Sequence, residues 1–172
     1  MGDDFLVGGL GSDTIMGGDG IDSYQQFGSA AVNLTITDTS VSDAISGDVD
    51  TLSSIEFINW TQRLAPSSDD IMDASAATIT VNLFGGLGND TMIGGSGDDL
   101  LEGDGGQDTL TGGSGADRFT FDYQSEIDGD MITDLEIFDL VDFRFIEFVE
   151  GIDITFIGDA AFTGLALSLI HI

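Results

Sequence analysis

Apolar or aromatic side chains recur at every ninth position along two stretches of this chain: Ile15 and Tyr24, then Met92, Leu101, Leu110 and Phe119. A short strand centred on each would bury that one side chain and turn its neighbours outward. The six residues between successive strands are rich in glycine and aspartate, which suit turns and not helices. The pattern therefore predicts a loop and a three-residue strand, repeated. Residues 8–16 read GGLGSDTIM and 17–25 read GGDGIDSYQ. After a gap, 85–93 read GGLGNDTMI, 94–102 GGSGDDLLE, 103–111 GDGGQDTLT and 112–120 GGSGADRFT. The opening MGDDFLV fits positions three to nine of a further unit, so the array is expected to be part of a longer one.

Residues 26–84 break the register, because 59 is not a multiple of nine, yet they keep a strand-rich texture. Val32, Leu34 and Ile36 alternate with polar residues, as do Ile79, Val81 and Leu83, the signature of half-buried strands. Between them run DTLSSIEFINW and SSDDIMDAS. Trp60 and Arg63 could mark a ligand surface, but a lone aromatic in such a spacer is expected in the core. Asp69, Asp70 and Asp73 read equally well as turn carboxylates or as additional metal ligands. From Phe119 onward glycine thins out and large apolar residues crowd in, as a repeat array needs where its last coil would otherwise expose its interior. The chain thus divides into a first repeat block (1–25), spacer coils (26–84), a second block (85–120), a C-terminal cap (121–166) and a tail (167–172). The tail, LSLIHI, looks like translated sequencing adapter and is expected to be non-native.

Charge narrows the partners. The 172 residues carry 32 acidic side chains against 3 basic ones, a formal net charge of −29, with 26 Asp to 6 Glu. Nucleic acid and anionic membrane surfaces are excluded as direct partners, since both demand basic side chains. There is no Cys, the single His171 stands one residue from the end, and no HExxH pair exists, so thiol, thiolate-zinc and zincin chemistry are absent from the sequence. No apolar run approaches the roughly 20 residues of a membrane span, and the acidic opening is unlike a secretory signal. At 41% hydrophobic, the chain is too apolar for a disordered acidic tail. It should fold once something offsets the repulsion.

The sixth position of every unit is Asp: Asp13, Asp22, Asp90, Asp99, Asp108 and Asp117, with Asp4 in the partial first unit. Glycines precede each: Gly8, Gly9 and Gly11; Gly17, Gly18 and Gly20; Gly85, Gly86 and Gly88; Gly94, Gly95 and Gly97; Gly103 and Gly106; Gly112, Gly113 and Gly115. Glycine leaves no Cβ in the way, so backbone carbonyls can turn inward beside the carboxylate. A turn former alone would not need the same like-charged group stacked at each ninth position. A hard cation would, and calcium, which takes six to eight oxygens in flexible geometry, fits better than magnesium. Asp104 stands where a second glycine is expected, making its loop the weak one.

This GGxGxDxUx nonapeptide resembles the RTX (repeats-in-toxin) family. The resemblance implies an all-β, right-handed parallel β-roll, a β-solenoid with irregular spacer coils and a C-terminal β cap, in which two units make one turn and calcium lies between loops 18 residues apart. It would pair Asp4 with Asp22, Asp90 with Asp108 and Asp99 with Asp117, and hold roughly three to six Ca²⁺ ions. Among cap carboxylates, Asp122, Glu126, Asp128, Asp130 and Asp134 are candidates for the last coil, Glu126 because it lies 18 residues after Asp108. GGSGADRFTF, ITDLEIFDLVDF and FIGDAAFTG together are similar to the C-terminal domain of serralysin-type secreted metalloproteases, whose protease half has no counterpart here. The implied function is a non-catalytic, calcium-binding module of a bacterial secreted protein, folding outside the cell and supporting export by the type I secretion apparatus. The alternatives are an extracellular polysaccharide-binding or adhesive module, or the non-catalytic end of a serralysin-like protease or a mannuronan epimerase.

Overall fold

The computed structural model describes residues 2–27, 30–61, 67–122 and 129–143. Among them lie strands and turns and no helix. In chain order the strands are β1 (Phe5–Val7), β2 (Thr14–Met16), β3 (Ser23–Phe27), β4 (Asn33–Thr37), β5 (Ser40–Asp43), β6 (Val49–Ser53), β7 (Phe57–Thr61), β8 (Ile71–Asp73), β9 (Thr80–Leu87), β10 (Thr91–Ile93), β11 (Leu100–Gly105), β12 (Thr109–Thr111), β13 (Arg118–Phe121), β14 (Met131–Ile132) and β15 (Leu140–Phe143).

Because each coil is loop, strand, loop, strand, successive strands fall alternately into two sheets. One sheet runs β1-β3-β7-β9-β11-β13-β15, and every pairing in it is parallel. The other runs β14-β12-β10-β8-β4-β5-β6-β2. Together they form a parallel β-roll of about six turns. Within the repeats the register is 18 residues, as Met92 opposite Leu110 and Leu6 opposite Tyr24 show.

The spacer interrupts the second sheet in a way the alternation of its residues does not foretell. β4 and β5 pair antiparallel, as do β5 and β6, and β6 then meets β2 in parallel. A meander is thus inserted between coils. Its first turn is fixed by Thr37, whose Oγ1 accepts the Ser40 N–H at 3.0 Å. Its second is fixed by Asp43, whose Oδ1 accepts the N–H groups of Asn33 and Ile45, both at 3.0 Å.

The core is a stack of single side chains from facing sheets. Tyr24, Met92, Leu101, Leu110 and Phe119, all at position eight, are fully buried, together with Leu34, Ile36, Ile58, Met72, Val81 and Leu83 from the spacer. Each such aliphatic side chain contributes roughly 1.5–3 kcal/mol of burial. Trp60 is buried among them and is core, not a ligand surface. Arg63 lies outside the described residues. β11 runs past the predicted three residues, and β9 past the alternation of Ile79, Val81 and Leu83, into the glycine loops, where Asp104 pairs with Gly86 and Gly105 with Leu87. Stacked loops in one register simply continue the ladder. Of the cap, residues 123–128 and 144–166 lie outside the described residues, as does the tail 167–172. Its described part adds β14 to one sheet and β15 to the other, closing on Phe121 stacked against Phe143 with ring centroids 5.6 Å apart.

Candidate metal centre

Position six sits where loop gives way to strand, directly above its counterpart in the next coil. The structure uses one oxygen of each carboxylate to tie the coils. Asp4 N–H donates to Asp22 Oδ1 at 2.8 Å, Asp90 N–H to Asp108 Oδ1 at 2.7 Å, and Asp99 N–H to Asp117 Oδ1 at 2.9 Å. These are the three pairings that the family resemblance implies.

The ladder continues where the repeat does not. Along one edge Val32 N–H donates to Asp70 Oδ1 and Asp70 N–H to Asp90 Oδ1, both at 2.8 Å, and beyond the pair above Asp108 N–H donates to Asp130 Oδ1 at 2.7 Å. Along the other, Val81 N–H donates to Asp99 Oδ1 at 2.8 Å and Asp117 N–H to Asp139 Oδ1 at 3.0 Å. In the first block Asp13 N–H donates to Asp50 Oδ1 and Asp22 N–H to Glu56 Oε2, each at 2.8 Å. Asp70 and Asp130 were candidates from the sequence; Asp50, Glu56 and Asp139 were not. Asp73 is a turn carboxylate accepting the Ser75 N–H, and Asp69 binds the Asn89 N–H on the outer side. Asp134 spends its oxygens on the N–H groups of Gly112 and Gly113, both at 2.8 Å. Glu126 and Asp128 lie outside the described residues, and Asp130 takes the rung above Asp108.

The second oxygen is the informative one. Oδ2 of Asp13, Asp22, Asp90, Asp108 and Asp117 is buried with no hydrogen-bond partner, and of these residues Asp22, Asp90, Asp108 and Asp117 are almost wholly buried. An unpartnered buried carboxylate oxygen is costly unless a cation meets it. Each Oδ2 points at the first glycine of its own loop. A Cβ on Gly17 or Gly94 would stand 2.5 Å from Oδ2 of Asp22 or Asp99, and one on Gly85, Gly103 or Gly112 would collide with Asp90, Asp108 or Asp117. A carbonyl of the stacked loop closes the same space, that of Gly103 over Gly85 and that of Gly112 over Gly94. Carboxylate oxygen and carbonyl oxygen converge on a cradle that only glycine leaves open. Such all-oxygen surroundings fit a hard cation. No group of three or more His, Cys, Asp or Glu side chains forms a cluster among the described residues. Backbone carbonyls must supply the rest of any shell. Asp99 differs from its neighbours, since its Oδ2 also accepts the Gly95 N–H at 2.7 Å.

Burial, more than stacked charge, raises the carboxyls of Asp90, Asp99, Asp108 and Asp117. Burial, joined by the charges of Asp108, Asp70 and Asp69, pushes Asp90 up to about 7 against the Asp70 N–H that opposes it. Burial, with Asp99, Asp139 and Asp134 nearby, pushes Asp117 up to about 6. Burial raises Asp99 and Asp108 as well. A carboxylate raised in the fold binds more protons folded than unfolded, so stability of the metal-free roll falls as pH rises from about 4 towards 7 and then levels. Calcium must displace those protons. Calcium half-saturation is therefore expected to shift to higher concentration at pH 5 than at pH 7.5, while the chelated chain gains strand signal on the same acidification. Circular dichroism at both pH values measures both; a calcium midpoint independent of pH would contradict it.

Asp104 holds its loop in register at φ 67°, the left-handed region, which Asp tolerates better than most residues, and its charge helps raise Asp108. Asp104→Gly is expected to stabilise the calcium-loaded roll by about 1 kcal/mol through relief of that conformation. Urea unfolding in calcium checks it, and an unchanged or lower midpoint would refute it.

Residues 2–24 and 84–119 match the RTX calcium-binding nonapeptide repeat, in four copies. The chain carries RTX calcium-binding repeats in a parallel β-roll, and calcium is the ion these repeats bind. No curated protein matches the chain.

Proposed function

We propose that this chain is a calcium-operated folding module of a bacterial protein exported by the type I route, loose in the calcium-poor cytosol and folded outside. The observation that carries this reading is the row of buried, unpartnered Oδ2 atoms on Asp22, Asp90, Asp108 and Asp117. Without a cation these carboxylates oppose compaction, and the chain's −29 charge adds to that. Extracellular sites of this kind bind in the range of about 10⁻⁴–10⁻³ M, so cytosolic calcium leaves them open and external calcium fills them. Binding free energy then becomes folding free energy. The module itself is non-catalytic, because its carboxylates recur in equivalent surroundings with no distinct acid and base. A polysaccharide-binding role would have to work through calcium bridging: Arg118, the one arginine among the described residues, is paired with Asp142. The test is the hydrodynamic radius of the whole chain across free calcium from submicromolar to millimolar. Collapse confined to the upper end supports the reading; a chain already compact at submicromolar calcium would fold before export and contradict it.

A further inference from the structure

The nonapeptide ends at Gln25: the partial first unit stacks on one side of the loop that Asp22 closes, through Asp4, and no repeat unit stacks on its other side. The spacer stacks there instead. Gly17 N–H donates to the Ser53 carbonyl at 3.0 Å, and the N–H of Glu56 donates to the Asp22 carbonyl at 3.0 Å. In return Glu56 Oε2 accepts the Asp22 N–H at 2.8 Å, occupying the rung a repeat Asp would take.

The cradle below this turn matches those of the second block. At Gly85 and Gly94 the glycine-sized space is shared by an Asp Oδ2 and the carbonyl of the first glycine of the stacked unit. At Gly17 it is shared by Asp22 Oδ2 and the carbonyl of Ser54. Ser54 reaches that place at φ 52°, a left-handed conformation uncommon for serine. Asp22 is completely buried and its Oδ2 has no partner, so this carboxylate aims a charge into the space just as Asp90 does. The other spacer-capped loop differs. In the space at Gly8 the hydroxyl of Tyr24 donates to Asp50 Oδ2, so a proton donor already serves that oxygen.

We propose that Asp22, the Ser54 carbonyl and Glu56 form a calcium site whose second half is the spacer turn rather than a nonapeptide. The proposal rests on the calcium reading of the repeats and extends it to residues outside them. The spacer would then fold onto the first block as calcium arrives, tying 26–84 to the same switch as the repeats.

Native mass spectrometry of the whole chain in saturating calcium counts the ions, with circular dichroism confirming the fold of each variant. Glu56→Gln keeps an acceptor for the Asp22 N–H and removes one charge; Gly17→Ala fills the cradle. Each is expected to bind one ion fewer than the parent chain with the strand signal retained. Should Gly17→Ala fail to fold, Asp22→Asn replaces it, since its amide keeps an Oδ1 acceptor for Asp4. Unchanged ion counts in Glu56→Gln and in the folded cradle variant overturn this site while leaving the repeats as calcium sites. A parent chain that binds no calcium overturns the reading beneath it as well.

Discussion

Asp90→Asn is expected to destabilise the chain in calcium and stabilise it in chelator. The amide keeps the Oδ1 that accepts the Asp70 N–H at 2.8 Å and puts an uncharged NH₂ where the buried Oδ2 stands. In millimolar calcium the variant gives up an anionic oxygen, and losing a site filled at about 10 times its Kd costs about 1.4 kcal/mol. In chelator the same change removes a carboxylate that burial has pushed up to about 7, so the metal-free roll at neutral pH loses a repulsive charge. Urea midpoints report the first sign. The second is read from the osmolyte concentration needed to fold the chelated chain, which should fall. A carboxylate serving only as a hydrogen-bond acceptor would move both readouts the same way, and that result would refute its role as a ligand.

Gly94→Ala carries the other large effect. The added methyl would stand 2.5 Å from Asp99 Oδ2 and against the Gly112 carbonyl, with backbone of the next coil preventing escape. Overpacking of this kind costs about 1–3 kcal/mol, and a calcium ion held in that cradle would be lost besides. Together these place the expected loss at about 2–4 kcal/mol. Gly47→Ala is the control: nothing lies within 4 Å of its Cβ position, and only its φ of 81° is strained, at about 1 kcal/mol. Equal losses in the two variants, by urea unfolding in calcium, would show that the cradle holds nothing.

The repeats made their own coils legible, because Asp at position six and an apolar residue at position eight are both read by counting. The rest of the ladder carried the same signal in a form that counting by nine misses. Asp50-Thr51-Leu52, Glu56-Phe57-Ile58, Asp70-Ile71-Met72, Asp130-Met131-Ile132 and Asp139-Leu140-Val141 all read acid, any residue, apolar. Each aligns in register with a repeat triplet, Leu52 opposite Ile15, Ile58 opposite Tyr24, Met72 opposite Met92, Ile132 opposite Leu110 and Val141 opposite Phe119. Loop length changes between them; the step from loop into strand does not. That is why an 18-residue offset pointed to Glu126 while Asp130 takes the rung. The antiparallel insert of β4, β5 and β6 was hidden for another reason. Alternation of buried and exposed residues is the same in parallel and antiparallel strands, and the turn Asp38-Thr39 lacks the Asn-Gly or Asp-Gly pair that marks a tight hairpin. Ser54 was equally hidden, since its contribution is a carbonyl.

These features join charge to fold. Six ions would bring the net charge from −29 to about −17, with the added charge delivered between the coils where the carboxylates are buried. The most direct test is anomalous diffraction from crystals of the whole chain grown in calcium. Calcium peaks are expected between stacked loops, in contact with Oδ2 of Asp90, Asp108 and Asp117 and with glycine carbonyls of the same cradles. Calcium-soaked crystals with the same roll and only water, or nothing, beside those oxygens would contradict it.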